Sequence, residues 1–205
     1  MIRVAIFGGS FDPVHLAHLV LAEYAREARS LDKVVFVPAA RAPHKPQGPL
    51  APGRDRLEML RLAVEHNPHF EVSAMELERD GLSYTLMTVR ETARSLGSEC
   101  EMHLIVGSDS LHDLPNWWHA DELVREARVL CLERPGFPLG CMDELEACFG
   151  AQAVAAIREG IVEAPLLQIS SSDIRRRITQ GRSIRYLVPD PVCKYIAARG
   201  LYRHG

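Results

Sequence analysis

The chain has 205 residues, 47% hydrophobic and 25% charged, which suits one globular domain with a sizeable core. Its net charge of -3 argues against a general nucleic-acid or membrane surface, so any anion site has to be local. No run has the length of a membrane span, and the apolar run at residues 2–7 is too short for a signal peptide. The five cysteines, odd in number and without a C-x-x-C pair, point to reduced thiols and a cytoplasmic location.

Residues 2–7 read as a buried strand that runs into Gly8-Gly9. Asp12 then reads as an N-cap, with Pro13 at the first helical position, for a helix over residues 14–28. Val34-Val35-Phe36-Val37 marks a second strand at residues 33–38. Residues 39–53 carry four prolines and two glycines and are expected to form a mobile loop. Helical patterns at 54–65 and 84–95 flank an expected strand at 70–75. A strand at 101–106 is expected to turn at Gly107-Ser108-Asp109, followed by a helix at 115–125. A strand at 128–132 is closed by Arg134-Pro135-Gly136. A weakly marked helix at 142–158, a last strand within 160–169, a helix at 173–180 capped by Ser170-Ser171-Ser172, and a closing helix at 191–199 complete the chain.

Strands alternate with helices, which predicts an α/β fold: a Rossmann-like, doubly wound parallel sheet with helices on both faces. It forms a single domain over residues 1–205, with a C-terminal helical part at about 170–205. In such sheets the ligand sits beyond the carboxyl ends of the strands, at the switch point. Residues 8–18, 38–45, 107–109 and 170–175 all follow expected strands, so their functional groups should converge on one edge.

Each of these segments carries groups suited to phosphate. Gly8-Gly9 lets the backbone approach a ligand closely, although the G-x-G-x-x-G dinucleotide spacing is absent. His15 and His18 are three apart and share a helix face in the first turns, where the helix end adds partial positive charge. The H-E-x-x-H spacing of a zinc site is absent, and no protein-held metal is expected. Ser170-Ser171-Ser172 with Arg175 offers hydroxyls, helix-start N–H groups and a guanidinium, more than one N-cap needs. Lys45, in the proline-rich loop, either closes over a polyphosphate as a point charge or stays solvated. Trp117-Trp118 offers a ring to stack on a flat ligand or to pack in the core. Ser83-Tyr84-Thr85, at a helix start, adds hydroxyls.

Gly-Gly-Ser-Phe-Asp-Pro-Val-His-Leu-Ala-His at residues 8–18 resembles the G-G-[ST]-F-D-P-x-H-x-G-H signature of adenylyltransferases in the HxGH nucleotidyltransferase superfamily. Residues 169–175 resemble its I-S-S-T-x-I-R signature. Pro43-His44-Lys45, Arg54 with Met59, residues 81–85, Gly107-Ser108-Asp109-Ser110 with Leu114 and Trp117, Arg134-Pro135-Gly136, and Tyr186-Leu187-Val188-Pro189 are similar to the bacterial nicotinate-mononucleotide adenylyltransferase branch. Ala17 departs from the signature's glycine, and Ser10 and Ser172 stand where threonine is common.

The resemblance implies adenylyl transfer from ATP to nicotinate mononucleotide, giving nicotinate adenine dinucleotide and pyrophosphate. Mg2+ would ride on the ATP phosphates, and the protein would be a monomer or small homo-oligomer. It implies that His18 contacts the α-phosphate and His15 the polyphosphate. Lys45, Ser171, Ser172 and Arg175 would hold the β- and γ-phosphates. Gly8, Gly9, Ser10, Phe11, Gly107 and Asp109 would line the rest of the ATP site. Trp117 would stack on the nicotinate ring, with Ser83, Tyr84, Thr85 and the Trp118 backbone N–H around its carboxylate. Acceptors such as nicotinamide mononucleotide or phosphopantetheine, and a nucleotide-binding regulator without turnover, are the alternatives.

Overall fold

The computed structural model describes residues 1–41, 48–97 and 99–203. Residues 42–47 of the expected loop, Lys45 among them, lie outside the described residues. Six strands form one all-parallel sheet: β1 (Ile2–Gly9), β2 (Lys33–Pro38), β3 (Phe70–Val72), β4 (Cys100–Gly107), β5 (Arg128–Leu132) and β6 (Ile161–Val162). Their spatial order is β3-β2-β1-β4-β5-β6, so the chain reverses direction between β1 and β4. That is the doubly wound order, and its switch point lies where Gly9 and Gly107 end their strands.

The central strands are continuous apolar runs because both faces of the sheet are covered. Side chains alternate between the faces. Val4, Ile6, Val35, Val37, Leu104 and Val106 enter one core, shared with α4 (Thr85–Leu96), α5 (Ser108–Asp113), α6 (Ala120–Glu126), α7 (Met142–Phe149) and α8 (Ala151–Glu159). Ala5, Val34, Phe36, Ile105 and Leu130 enter the other, shared with α1 (Leu16–Arg29), α2 (Gly53–Val64), α9 (Ser171–Thr179) and α10 (Asp190–Arg199). The C-terminal helix is tied across α2 by a buried carboxylate. Asp55 accepts from the Tyr195 hydroxyl at 2.8 Å and from Arg199 Nε at 3.2 Å. Among the described residues no helix is long and apolar enough to cross a membrane.

Several local expectations are corrected. Asp12 does not cap a helix. Its carboxylate is 4% exposed and accepts from the Leu50 and Ala51 N–H groups at 2.8 and 3.0 Å and from the Tyr202 hydroxyl at 2.7 Å. With Asp12 committed to these distant partners, α1 begins at Leu16 and His15 is its N-cap residue. The turn expected at 107–109 is instead a direct passage from β4 into α5. The helix expected at 115–125 is a short 3-10 turn, Leu114–Asn116, followed by α6. The 142–158 segment is split because Gly150 has φ 81, a left-handed conformation that no helix continues. A four-residue helix, α3 (Met75–Glu78), occupies the end of the expected 70–75 strand.

Gly160 joins α8 to β6 with ordinary φ and ψ of -76 and -3, yet a Cβ there would lie 1.9 Å from the Val129 carbonyl oxygen. Gly160→Ala should therefore cost about 1–3 kcal/mol or more through overpacking, with no conformational penalty of its own. Urea unfolding measures it, and an unchanged midpoint would contradict this packing.

Candidate active site

The loop after β1 is held in shape from three sides. Arg56, buried on α2, donates from Nη1 to the Ser10 carbonyl at 2.7 Å and from Nε to the Ala51 carbonyl at 3.2 Å. Arg175, on α9, donates from Nη1 to the Asp12 carbonyl at 2.6 Å, and its Nη2 lies 3.3 Å from Ser172 Oγ. The Ser171 hydroxyl donates to the Pro13 carbonyl at 2.8 Å. The two phosphate-suited segments of the sequence, 8–18 and 170–175, are thus bonded to each other although about 160 residues separate them.

Between them lies a cleft of about 690 Å3 at the switch point. It is lined by Gly8, Gly9, Ser10, Phe11, His15, His18, Ser83, Thr85, Gly107, Asp109, Trp117, Ser171, Ser172 and Arg175, so most of the sequence-derived candidates meet in one place. The Tyr84 and Trp118 side chains are not part of that lining. They pack against each other with ring centroids 4.8 Å apart and planes tilted by 32°, and Trp118 is 41% exposed. A Cβ on Gly8 would touch nothing within 4 Å, so the backbone there is open to a ligand. At Gly107 a Cβ would sit 2.4 Å from Asp109 Oδ1 and 2.6 Å from Arg134 Cδ, so those two side chains would have to shift.

His15 and His18 form a stacked pair, with ring centroids 3.6 Å apart and planes 18° apart. The His15 backbone N–H donates to His18 Nδ1 at 3.2 Å. A neutral His18 therefore carries its proton on Nε2. His15 is 3% exposed, its Nδ1 is buried without a hydrogen-bond partner, and burial together with the nearby Arg134 charge lowers its pKa to about 3. Ala17, the departure from the glycine of the signature, is buried and lines the cleft beside them.

Arg134 and Glu76 line the cleft and were not among the site residues that the sequence suggested. Arg134 donates from Nη1 to Asp109 Oδ2 at 2.8 Å, and its backbone N–H bonds Ser108 Oγ at 2.8 Å. It places a cation at the cleft while leaving Asp109 Oδ1 buried without a partner. Its signal was available: the Arg-Pro-Gly turn directly follows β5, one more strand end on the same edge. Glu76, on α3, is buried and accepts from the Thr88 hydroxyl at 2.6 Å. Nothing in the spacing of so short a helix marks it.

Residues 6–177 match the family model described as Cytidylyltransferase-like. Over nearly its whole length the chain is similar to proteins named "Probable nicotinate-nucleotide adenylyltransferase". It is 43% identical over 201 residues to that of Moorella thermoacetica, covering 98% of this chain and 92% of the relative. It is 44% identical over 201 residues to one from Thermus thermophilus, covering 98% and 100%. The chain belongs to the nicotinate-nucleotide adenylyltransferase family. Its fold is similar to the solved structure of Plasmodium falciparum nicotinic acid mononucleotide adenylyltransferase complexed with NaAD, with a TM-score of 0.76 at 19% identity over 100% of this chain and 99% of that one. The cleft of this chain joins a glycine turn, a histidine pair and a serine-rich helix start at one sheet edge.

The low pKa of His15 has a thermodynamic consequence. The unfolded histidine takes up its proton near pH 6.5 and the native one only near pH 3. Its contribution to stability is therefore complete above pH 6.5 and is lost as the pH falls toward 3. A His15→Gln variant should lose less stability than the parent on acidification through this window. Urea midpoints measured across it for both proteins give the comparison, and parallel curves would contradict a buried neutral His15.

Proposed function

We propose that the cleft transfers the adenylyl group of ATP to nicotinate mononucleotide, releasing pyrophosphate and forming nicotinate adenine dinucleotide, as a step of NAD biosynthesis in the cytoplasm. The observation that carries this reading is the stacked His15–His18 pair at the start of α1, facing the same cleft as the Ser171–Arg175 helix start. The protein acts as a monomer or small homo-oligomer.

A phosphate oxygen of the acceptor attacks the α-phosphorus of ATP, and the bond from that phosphorus to the bridging oxygen of pyrophosphate breaks. The nucleophile is already largely ionised at neutral pH, so no general base is required. Catalysis is positioning plus charge stabilisation. His18 Nε2–H is the donor aimed at the α-phosphate, since its Nδ1 is occupied by the His15 N–H. His15, kept neutral by burial, stacks behind His18 and serves the polyphosphate.

The N–H groups at the start of α9, the hydroxyls of Ser171 and Ser172, Arg175 and Lys45 hold the β- and γ-phosphates. Ser170 caps that helix by accepting from the Asp173 N–H at 3.1 Å, which leaves the other first-turn N–H groups for the ligand. Gly8 to Phe11, Gly107 and Asp109 take the remainder of ATP. Mg2+ enters as part of the substrate, on its phosphates. On the acceptor side Trp117 stacks on the nicotinate ring. Thr85, with Ser83 and the Trp118 backbone N–H, meets its carboxylate. Such donor groups favour a carboxylate over an amide, whose NH2 group would face other donors.

His18→Ala should lower kcat by ~10^2 or more, as loss of one oxyanion donor does. Steady-state kinetics with near-normal kcat and only a raised KM for ATP would remove His18 from this role. Pyrophosphate release from ATP with nicotinate mononucleotide, nicotinamide mononucleotide and phosphopantetheine in parallel tests the acceptor. Turnover fastest with the nicotinate acceptor is expected. ATP binding without release in any arm would leave a nucleotide-binding regulator.

A further inference from the structure

At the edge of the sheet opposite the cleft, near the strand starts, lies a second cavity of about 90 Å3. His103 on β4, Arg128 at the start of β5, Arg29 at the end of α1 and Glu159 on α8 are among its lining. His103 is 3% exposed, and neither of its ring nitrogens has a hydrogen-bond partner. A neutral imidazole carries one donor and one acceptor, and burying both unmet is unfavourable. Its Nε2 lies 3.8 Å from Glu101 Oε1, beyond hydrogen-bond reach. Glu101 is already engaged by Arg128 Nε at 2.7 Å and Arg3 Nε at 3.3 Å.

Arg29 makes no ion pair among the described residues. The cavity lining holds two arginines, Arg29 and Arg128, against one carboxylate, Glu159; beside it Glu101 is shared by Arg3 and Arg128, and Asp32 accepts from the Arg3 backbone N–H at 2.7 Å.

We propose that this pocket is a second anion site, which takes one small tetrahedral oxyanion of the size and charge of orthophosphate. Its volume is that of about three water molecules, which admits such an ion and nothing as large as a nucleotide. The oxyanion accepts from the Arg29 and Arg128 guanidinium groups and from a His103 N–H. Burial holds the His103 imidazole below its ordinary range. A bound dianion lifts it and turns both ring nitrogens into donors. The site is separate from the adenylyl-transfer cleft: His103 precedes Gly107 by four residues on β4, roughly 13 Å along the strand.

NMR of the histidine side chains in the full chain, titrated with inorganic phosphate, tests the proposal. Saturable movement of the His103 ring signals is expected, with a rise in its pKa. Arg29→Ala and Arg128→Ala, both at partly exposed positions, should each weaken that response about tenfold or more, as loss of a charge-assisted hydrogen bond does. The His15 and His18 signals report phosphate in the cleft and should keep their response in both variants. His103 signals that ignore phosphate would mean that the pocket holds water only. A response unchanged in both arginine variants, or reproduced by chloride, overturns the site. Acetate binding more tightly than phosphate overturns its tetrahedral character.

Discussion

The buried carboxylate of Asp12 is the constraint on which the functional end of this molecule depends. It sits in the loop directly after β1 and receives three hydrogen bonds from two distant parts of the chain: the backbone at 50–51 and the Tyr202 hydroxyl near the C-terminus. The same loop is gripped through its carbonyls by Arg56, Arg175 and Ser171. A buried carboxylate is tolerated only when its lone pairs are met, and removing one donor leaves a charge uncompensated. The network is therefore cooperative. It ties α2, α9 and the C-terminal residues to the loop that carries the glycine turn. Burial beside Asp12 also pushes the Tyr202 phenol well above its usual range, which keeps it a donor.

The histidine pair depends on that assembly. α1 starts at Leu16, later than a capping Asp12 would start it, and this places His15 at the helix boundary with its own N–H on His18. The electrostatics then follow from depth. His15 is too buried to be charged near neutral pH, and among the described residues the cations lining the cleft are arginines, which stay charged under all relevant conditions. The lining thus places fixed positive charge at Arg134 and Arg175 beside an imidazole held neutral by burial.

Most of the sheet was legible because central parallel strands, covered on both faces, must be continuous apolar runs, as in Val34-Val35-Phe36-Val37 and Leu104-Ile105-Val106. The edge strands β3 and β6 are short, and their runs are correspondingly weak. Helix interiors were legible and helix ends less so. An aspartate before a proline signals a cap from local chemistry alone, whereas the partners of Asp12 come from residues up to 190 positions away. The site was legible wherever it rested on strand ends, since topology carries those to one edge. Glu76 on a four-residue helix was not, and Arg134 showed as a turn and as part of a family-like segment, without a role in the site.

The amino-acid order by itself determined the alternation of strands and helices, the edge of the sheet on which the polar loop residues converge, and the residue types that stand there. These depend on hydrophobic period and on short motifs, which are local properties. Only the tertiary structure decided what each group does there. It turned Asp12 from a cap into the anchor of the glycine loop, set His18 as an Nε2 donor by occupying its Nδ1, and left Tyr84 and Trp118 packed against each other outside the cleft lining. Those outcomes rest on burial and on long-range hydrogen bonds, and neither exists until the helices have packed.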